Sequence, residues 1–476
     1  MTLDRPTTLE PESLSSEEAE CGQKISHDGR IVVSKKAWLT RILTISGLVL
    51  IMCYNLNQGM ALGDPLVVYS TLMPFHTLIV FTVGWLLFRN KTTGEPGNEL
   101  VSVIIPVYNQ ESMIEEVVDA IYRSTYTHIE VIVVNDGSKD GTGDVLDYLA
   151  FKYPGLRVIN KENGGKRTAV AAGFYASKGR FVVIIDSDSI IGENAIREFM
   201  KTFHGNPKVG GVVANCKVLN AGKNFLTKCQ SVWYDYAFNI HKTTESYFGT
   251  VLCCSGSLAC YKREAIEDFI PFWVSARIQN SDDRDLTTYA ISTKWAKQQF
   301  ASLQLRLMES MAQYDDSEDR GLTSAALIEW ETVYVPTAVV HTEVPETIKK
   351  YIRQQIRWRK GYFRSSFYVS AFFWKKNPLM SLIFYTEFMS TFTAPLIIFT
   401  IYLYSPLILK DFWLPLTYLV SQILIGLAAG LDYRARDTDA RYWMYKPLMN
   451  LITSFMLSWL SFPALLTYNQ NRWLTR

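Results

Sequence analysis

FVVIIDSDS, residues Phe181–Ser189, is the stretch on which the fold turns. Its first five residues are apolar without alternation, and two aspartates, Asp186 and Asp188, follow at once. A short run that is apolar on both sides reads as a strand buried on both faces, the kind found in parallel sheets covered by helices. Acids just past the carboxyl end of such a strand stand where open α/β sheets bind their ligands. Outward from it, VSVIIPVY (Val101–Tyr108), EVIVVND (Glu130–Asp136), LRVIN (Leu156–Asn160) and TVYV (Thr332–Val335) have the same texture, and helix-like stretches such as Ser112–Ser124 separate them. The alternation predicts an α/β domain over residues 95–345 with a parallel sheet covered on both faces.

The flanks of that domain have a different composition. Residues 1–34 are polar, rich in Glu, Ser and Thr, and lack the apolar core of a secretory signal, so a disordered cytoplasmic tail is expected. Residues 35–90 hold two apolar stretches, Ala37–Leu56 and Pro65–Phe88, each long enough to cross a bilayer. Lys35, Lys36 and Arg41 flank the first, Arg89 and Lys91 follow the second, and residues 57–64 between them carry no Lys or Arg. By the positive-inside rule the hairpin tip is outside and the α/β domain begins in the cytoplasm. Residues 346–377 mix Lys and Arg with Trp358, Tyr362, Phe363, Phe367 and Trp374, as helices lying in the headgroup plane do. Over residues 378–470 three more spans are predicted, Leu379–Tyr404, Phe412–Leu431 and Pro447–Thr467. The first contains Pro395, which can kink it, and Glu387, a carboxylate that either lines a polar interior such as a channel or sits at a helix end or the interface. The 476 residues carry a formal net charge of +2, so no basic field argues for nucleic acid. The seven cysteines have no metal-ligand spacing and read as reduced thiols.

Each strand end brings a chemically useful cluster. In IIPVYNQE (Ile104–Glu111), Pro106 and Tyr108 bring an aromatic ring and backbone groups to the sheet edge, where a planar base could stack. In VVNDGSKDGT (Val133–Thr142), Asp136 could accept from a uracil imide, although Asn, Asp and Gly also simply build turns. NGGKRTAV (Asn163–Val170) sets two glycines ahead of Lys166 and Arg167 at a helix start, favourable for an anion and unlike a Walker loop. Asp186 and Asp188 are hard oxygen ligands of the kind that hold Mg²⁺ or Mn²⁺ together with substrate phosphates. Two acidic clusters, SDDRDLT (Ser281–Thr287) and SEDRGLT (Ser317–Thr323), compete to supply a base for an acceptor hydroxyl. Asp319 is preferred over Asp283 because a helix-like stretch, a strand and then RQQIRWRKGYFR (Arg353–Arg364) follow it. In that last stretch Gln354, Arg357 and Trp358 share one helix face, where Arg could grip a diphosphate and Trp a sugar ring.

With these residues assembled, the chain resembles the family-2 processive membrane glycosyltransferases: hyaluronan synthases above all, and also chitin, chitooligosaccharide and cellulose synthases. AFNIHKTTESYFGTVLCCSGSLACYKRE (Ala237–Glu264) and QQIRWRKGYFR are similar to hyaluronan synthase segments, while TVYVPTAVVHTEVP (Thr332–Pro345) is as near to the chitooligosaccharide synthases. The segment Tyr289–Tyr314, which separates two acidic clusters where the family has one, is a departure. The resemblance implies a GT-A (Rossmann-like) domain between transmembrane helices and an inverting, processive transfer from UDP-sugars. UDP-GlcNAc, alternating with UDP-glucuronate, would be joined into hyaluronan and extruded across the bilayer. It implies that Tyr108, Glu111, Asp136 and Lys166 hold UDP, that Asp188 holds the metal with Asp186 near, and that Asp319 is the base. Ser255 and Gly256 would border the acceptor, and Gln354, Arg357 and Trp358 would close the site. The alternatives are a chitin-type synthase using UDP-GlcNAc only, or a single transfer to a lipid carrier, whose enzymes generally lack the Gln-x-x-Arg-Trp helix.

Overall fold

The computed structural model describes residues 35–72, 75–90, 92, 94–275, 282–299, 328–437 and 439–468. The expected tail and Asp319 lie outside the described residues. The described part opens with α1 (Lys35–Leu62), turns at Gly63, and returns through α2 (Pro65–Leu72), α3 (Phe75–Thr82) and a π turn, Val83–Leu87.

The α/β domain follows. Among the described residues eight strands form one sheet: β1 (Val101–Val107), β2 (Ile129–Asn135), β3 (Leu156–Asn160), β4 (Phe181–Ile184), β5 (Ser189–Ile191), β6 (Val209–Val218), β7 (Ala259–Lys262) and β8 (Glu331–Thr342). Their order is β3-β2-β1-β4-β7-β6-β8-β5. The first four are mutually parallel, as the unbroken apolar runs predict; all seven residues of β1 are buried. Beyond β4 the sheet is mixed: β7 runs antiparallel to both β4 and β6, and β5 antiparallel to β8. That half was not legible as strand direction, because a buried strand carries the same apolar pattern whichever way it runs. Pairing of β1 with β4 stops at Ile104, two residues before Pro106, so the missing N–H of the proline falls beyond that ladder.

Helices α4 (Ile114–Tyr122), α5 (Thr142–Lys152), α6 (Lys166–Ala176) and α7 (Ala195–Gly205) link the strands. Next come α8 (Phe225–Tyr236), its π-helical continuation Ala237–Lys242, α9 (Thr243–Tyr247) and, after β7, α10 (Asp282–Ala290). A reciprocal capping box starts α8: Asn224 accepts from the Thr227 N–H at 3.0 Å, and Thr227 Oγ1 accepts from the Asn224 N–H at 3.0 Å.

After β8 the basic aromatic stretch is one long helix, α11 (Ile348–Ser370), with Thr347 as its N-cap. α12 (Pro378–Phe399) begins at Pro378 behind the Asn377 cap and runs on as a π helix to Leu409. Pro395 lies inside α12. α13 (Trp413–Arg436), α14 (Lys446–Phe455) and α15 (Ser461–Leu466) complete the described chain. Among the described residues four helical segments are long and apolar enough to cross a membrane: Ala37–Ala61, Pro65–Leu87, Pro378–Leu409 and Trp413–Arg436. The predicted last span, Pro447–Thr467, is bent by 42° where α14 gives way to the turn ahead of α15, so it is a fifth span only if that bent pair counts as one.

Candidate active site

The strand order places β1 between β2 and β4, with the chain leaving β1 toward one side and β4 toward the other. This is the point where an α/β sheet opens a crevice at its carboxyl ends. Asp136 and Asp186 emerge there, and α6 points its first turn at them. Gly165, the N-cap of α6, has φ 90°, a conformation open to glycine and strained for other residues.

At the centre is Lys166. Its Nζ lies 2.5 Å from Asp186 Oδ1 and 3.7 Å from Asp283 Oδ1. Gly256 closes the group: its N–H donates to Asp283 Oδ2 at 2.8 Å, and its carbonyl accepts from the Asp186 N–H at 2.8 Å. A Cβ on Gly256 would sit 2.6 Å from Lys166 Nζ and 3.1 and 3.2 Å from Asp283 and Asp186 Oδ1, closer than ordinary van der Waals contact, so a side chain there would displace Lys166 from the acids. Burial pushes the Asp283 carboxyl up, but Lys166, the Gly256 N–H and Arg357 together hold it below the usual range. Asp186 goes the other way: burial and the neighbouring Asp188 and Asp283 carboxylates raise it despite Lys166. Lys166 itself, although desolvated, is kept charged by these acids. The competing acidic cluster Ser281–Thr287 thus delivers Asp283 to the crevice, while the preferred Asp319 falls outside the described residues.

Asp188 turns toward β8, where its Oδ1 accepts from Ser189 Oγ at 3.3 Å and Thr342 Oγ1 at 3.5 Å. No group of three or more His, Cys, Asp or Glu side chains among the described residues is gathered tightly enough to hold a metal alone. Two carboxylates with open positions for phosphate oxygens are nonetheless the donor set that Mg²⁺ or Mn²⁺ commonly uses.

Asp136 is 3% exposed and shapes the neighbouring loop: it accepts from the N–H groups of Gly164 (3.0 Å) and Gly165 (2.8 Å) and from Lys161 Nζ (2.6 Å). Lys161 escaped the sequence reading; its only signal was a cation five residues ahead of Lys166. Tyr108 is half-buried at the end of β1, next to Asn109, whose φ of 51° turns the chain sharply. Glu111 accepts from the Gly141 N–H at 3.1 Å across the crevice rim. Pro106 is buried within β1, inside the strand and not at its tip.

Arg167 does not join the anion site. Fully buried, it donates from Nε to Asp282 (2.6 Å), from Nη2 to Asp285 (2.7 Å) and from Nη1 to the Trp273 carbonyl (3.0 Å). The expectation that it binds diphosphate is corrected on that ground: it clamps α10 to α6 and so sets Asp283 opposite Lys166. On α11, Arg357 is close enough to contribute to the low Asp283 value, and Trp358 lies nearly parallel to Trp233 at 5.8 Å between ring centres. Gln354 Oε1 is buried without a hydrogen-bond donor. Ser255 Oγ accepts from Ser257 Oγ at 3.4 Å, one residue from Gly256.

Residues 102–270 match the family model described as glycosyl transferase family 2. Hyaluronan synthase of Streptococcus pyogenes is 27% identical over 408 residues, covering 84% of this chain and 88% of the relative. An N-acetylglucosaminyltransferase of Azorhizobium caulinodans is 28% identical over 392 residues, covering 79% and 87%. Among solved structures, a mannosyltransferase of Pyrobaculum calidifontis overlays with a TM-score of 0.48 at 19% identity, covering 83% of this chain and 98% of the other. With a parallel-to-mixed sheet, acids and a lysine at its crevice, and membrane-length helices on both sides, the chain carries a glycosyltransferase domain that matches family 2 over residues 102–270.

Proposed function

We propose that the chain is a processive, inverting synthase that polymerises sugar from UDP-sugar donors, UDP-GlcNAc alternating with UDP-glucuronate, into a hyaluronan-type polysaccharide. The reading rests on the likeness to a hyaluronan synthase that extends over 84% of the chain, membrane helices included. The positive-inside pattern sets the transfer domain in the cytoplasm, and the spans that follow α11 give a polar polymer its way out of the cell.

In the reaction, an acceptor hydroxyl oxygen bonds to the donor's anomeric carbon from the face opposite UDP. The bond from that carbon to the UDP oxygen breaks, and the hydroxyl proton passes to a carboxylate. Asp283 is assigned as that base, on its place beside Lys166 and the Gly256 loop. A donor diphosphate drawing Lys166 to itself would relieve the field that holds Asp283 low and strengthen it as a base when donor is present. Lys166 and Arg357 meet the charge growing on the departing diphosphate. Asp186 and Asp188 would hold Mg²⁺ or Mn²⁺ with phosphate oxygens, and the bound ion would neutralise the leaving group. Tyr108, Glu111 and Asp136 border the uridine, with Asp136 acting through the loop it folds. Ser255, Gly256, Gln354 and Trp358 border the acceptor.

Asp283→Asn should lower turnover about 1,000-fold while UDP affinity, read by calorimetry, stays within about threefold. Full turnover in this variant together with its loss in Asp319→Asn would move the base to the other cluster. The product made from both donors should be digested by hyaluronidase and resist chitinase. The relative from Azorhizobium favours a second reading, an oligomer of N-acetylglucosamine alone, for which the two digestions reverse.

A further inference from the structure

One helix of the transfer domain touches both the acceptor side of the site and the membrane helices. On α8 the Trp233 ring lies 5.8 Å from Trp358 at an interplanar angle of 20°. Two residues on, Asp235 accepts from Arg436 Nη2 at 3.0 and 3.2 Å. Arg436 Nε donates to Asp432 at 2.5 Å, and the other Asp432 oxygen accepts from Arg41 Nε at 2.5 Å. Arg41 also donates to the Trp85 carbonyl at 2.9 Å. On the domain side Asn239 donates to Asp235 at 2.8 Å, and the Tyr334 hydroxyl donates to Asn239 at 2.6 Å. A single file of hydrogen bonds therefore joins α1, the second span, α13, α8 and β8. All four charged members are less than a tenth exposed.

Two guanidiniums and two carboxylates taken out of water seldom stabilise a protein as well as apolar residues of the same size would. What such a file does supply is direction: each bond is short, directional and made by one specific partner, so sliding the domain on the helices breaks it. The approach is tight elsewhere along the same helix. At Gly84 a Cβ would meet the Ile240 carbonyl at 2.6 Å, and Lys242 donates to the Cys253 carbonyl just ahead of Ser255 and Gly256.

We propose that the Asp235–Arg436–Asp432–Arg41 file is a positioning device. It fixes α8, and with it the Trp233–Trp358 pair, relative to the spans through which product leaves. Asp235 is then a positioning residue for the acceptor end of the chain and not for the donor. This deepens the polymer-synthase reading and rests on it.

The test uses the full-length protein in lipid nanodiscs. Asp235→Asn keeps the shape and removes the charge facing Arg436. Donor KM should stay within about twofold, while product length on gels falls about tenfold, as misplacement at a distance from the chemistry allows. The double variant Asp235→Asn with Arg436→Gln removes both partners and so the uncompensated buried charge. It should regain the wild-type melting temperature and still make short product. Wild-type length from Asp235→Asn would overturn the proposal, as would length and melting temperature recovering together in the double variant. If Asp235→Asn does not fold, the double variant decides alone, by the same criterion. Failure of the wild type to polymerise either donor would sink the functional reading by itself. Asp235 is then judged by single transfer to a soluble chitooligosaccharide: acceptor KM up about tenfold with donor KM unchanged supports positioning, and both unchanged overturns it.

Discussion

Neighbouring cations at the start of α6 turn to opposite sides of the helix. Lys166 faces the crevice, 19% exposed and 2.5 Å from Asp186; Arg167 points inward and is held by Asp282 and Asp285. Their substitutions should therefore fail differently. Arg167→Ala removes the buried cation between Asp282 and Asp285 and leaves Asp285 only the longer contact with Arg364 at 3.6 Å, a defect worth about 3 kcal/mol, seen as a lower melting temperature with donor affinity little changed in the folded fraction. Lys166→Ala removes a partly solvated charge at the site. It should leave melting nearly unchanged and cost about 100-fold in kcat/KM. Gly256→Ala belongs with Lys166: the added methyl would stand 2.6 Å from Nζ, and activity should fall more than about tenfold without loss of stability.

Among the elements, α13 is the one whose packing depends most on small residues. A Cβ at Gly426 would meet Pro447 Cα at 2.4 Å, and one at Gly430 the Trp443 carbonyl at 2.6 Å. Both contacts are with backbone, which does not swing aside as a flexible side chain does. Small residues let helices approach this closely in a bilayer, where dispersion and interhelical bonds replace hydrophobic driving force. Gly426→Leu should therefore cost about 1–3 kcal/mol and separate α13 from α14, measurable as a lower melting temperature in detergent and loss of the monodisperse elution peak. The bend between α14 and α15 also belongs to this scale. A run of apolar residues fixed the length of Pro447–Thr467 as a span, but it carried no mark of the 42° break.

The whole molecule is held together where the transfer domain meets the helices, and one contact there titrates. His241, in the π turn after α8, lies 3.2 Å from Glu387 on α12 and 3.8 Å from Glu245, with Lys242 beside it. Burial lowers the His241 pKa, but the two carboxylates outweigh both burial and Lys242 and raise it to about 9. A histidine whose pKa is raised on folding binds its proton more tightly in the native state. Its contribution is complete below the unfolded value near 6.5 and is lost as pH rises toward 9. Melting temperature should accordingly fall between pH 6.5 and 9, and His241→Gln should flatten that slope. An unchanged slope in His241→Gln would assign the dependence to another group.

Strand ends, the glycine-led start of α6 and the membrane-length helices were legible in the sequence because each depends on local composition. Short continuous β-branched runs bounded by turn residues favour buried strands, carboxylates that follow the parallel ones emerge at one sheet edge, and twenty apolar residues suit only a bilayer or a core. Tertiary structure decided which side chains share a space. Asp283 and Lys166 are far apart in sequence and 3.7 Å apart in the crevice, and no local pattern distinguishes the lysine that reaches there from the arginine beside it that turns inward. The same holds for the file from Arg41 to Asp235, whose members lie on separate helices: a charge records nothing about its partner until packing has excluded the water that would otherwise take the partner's place.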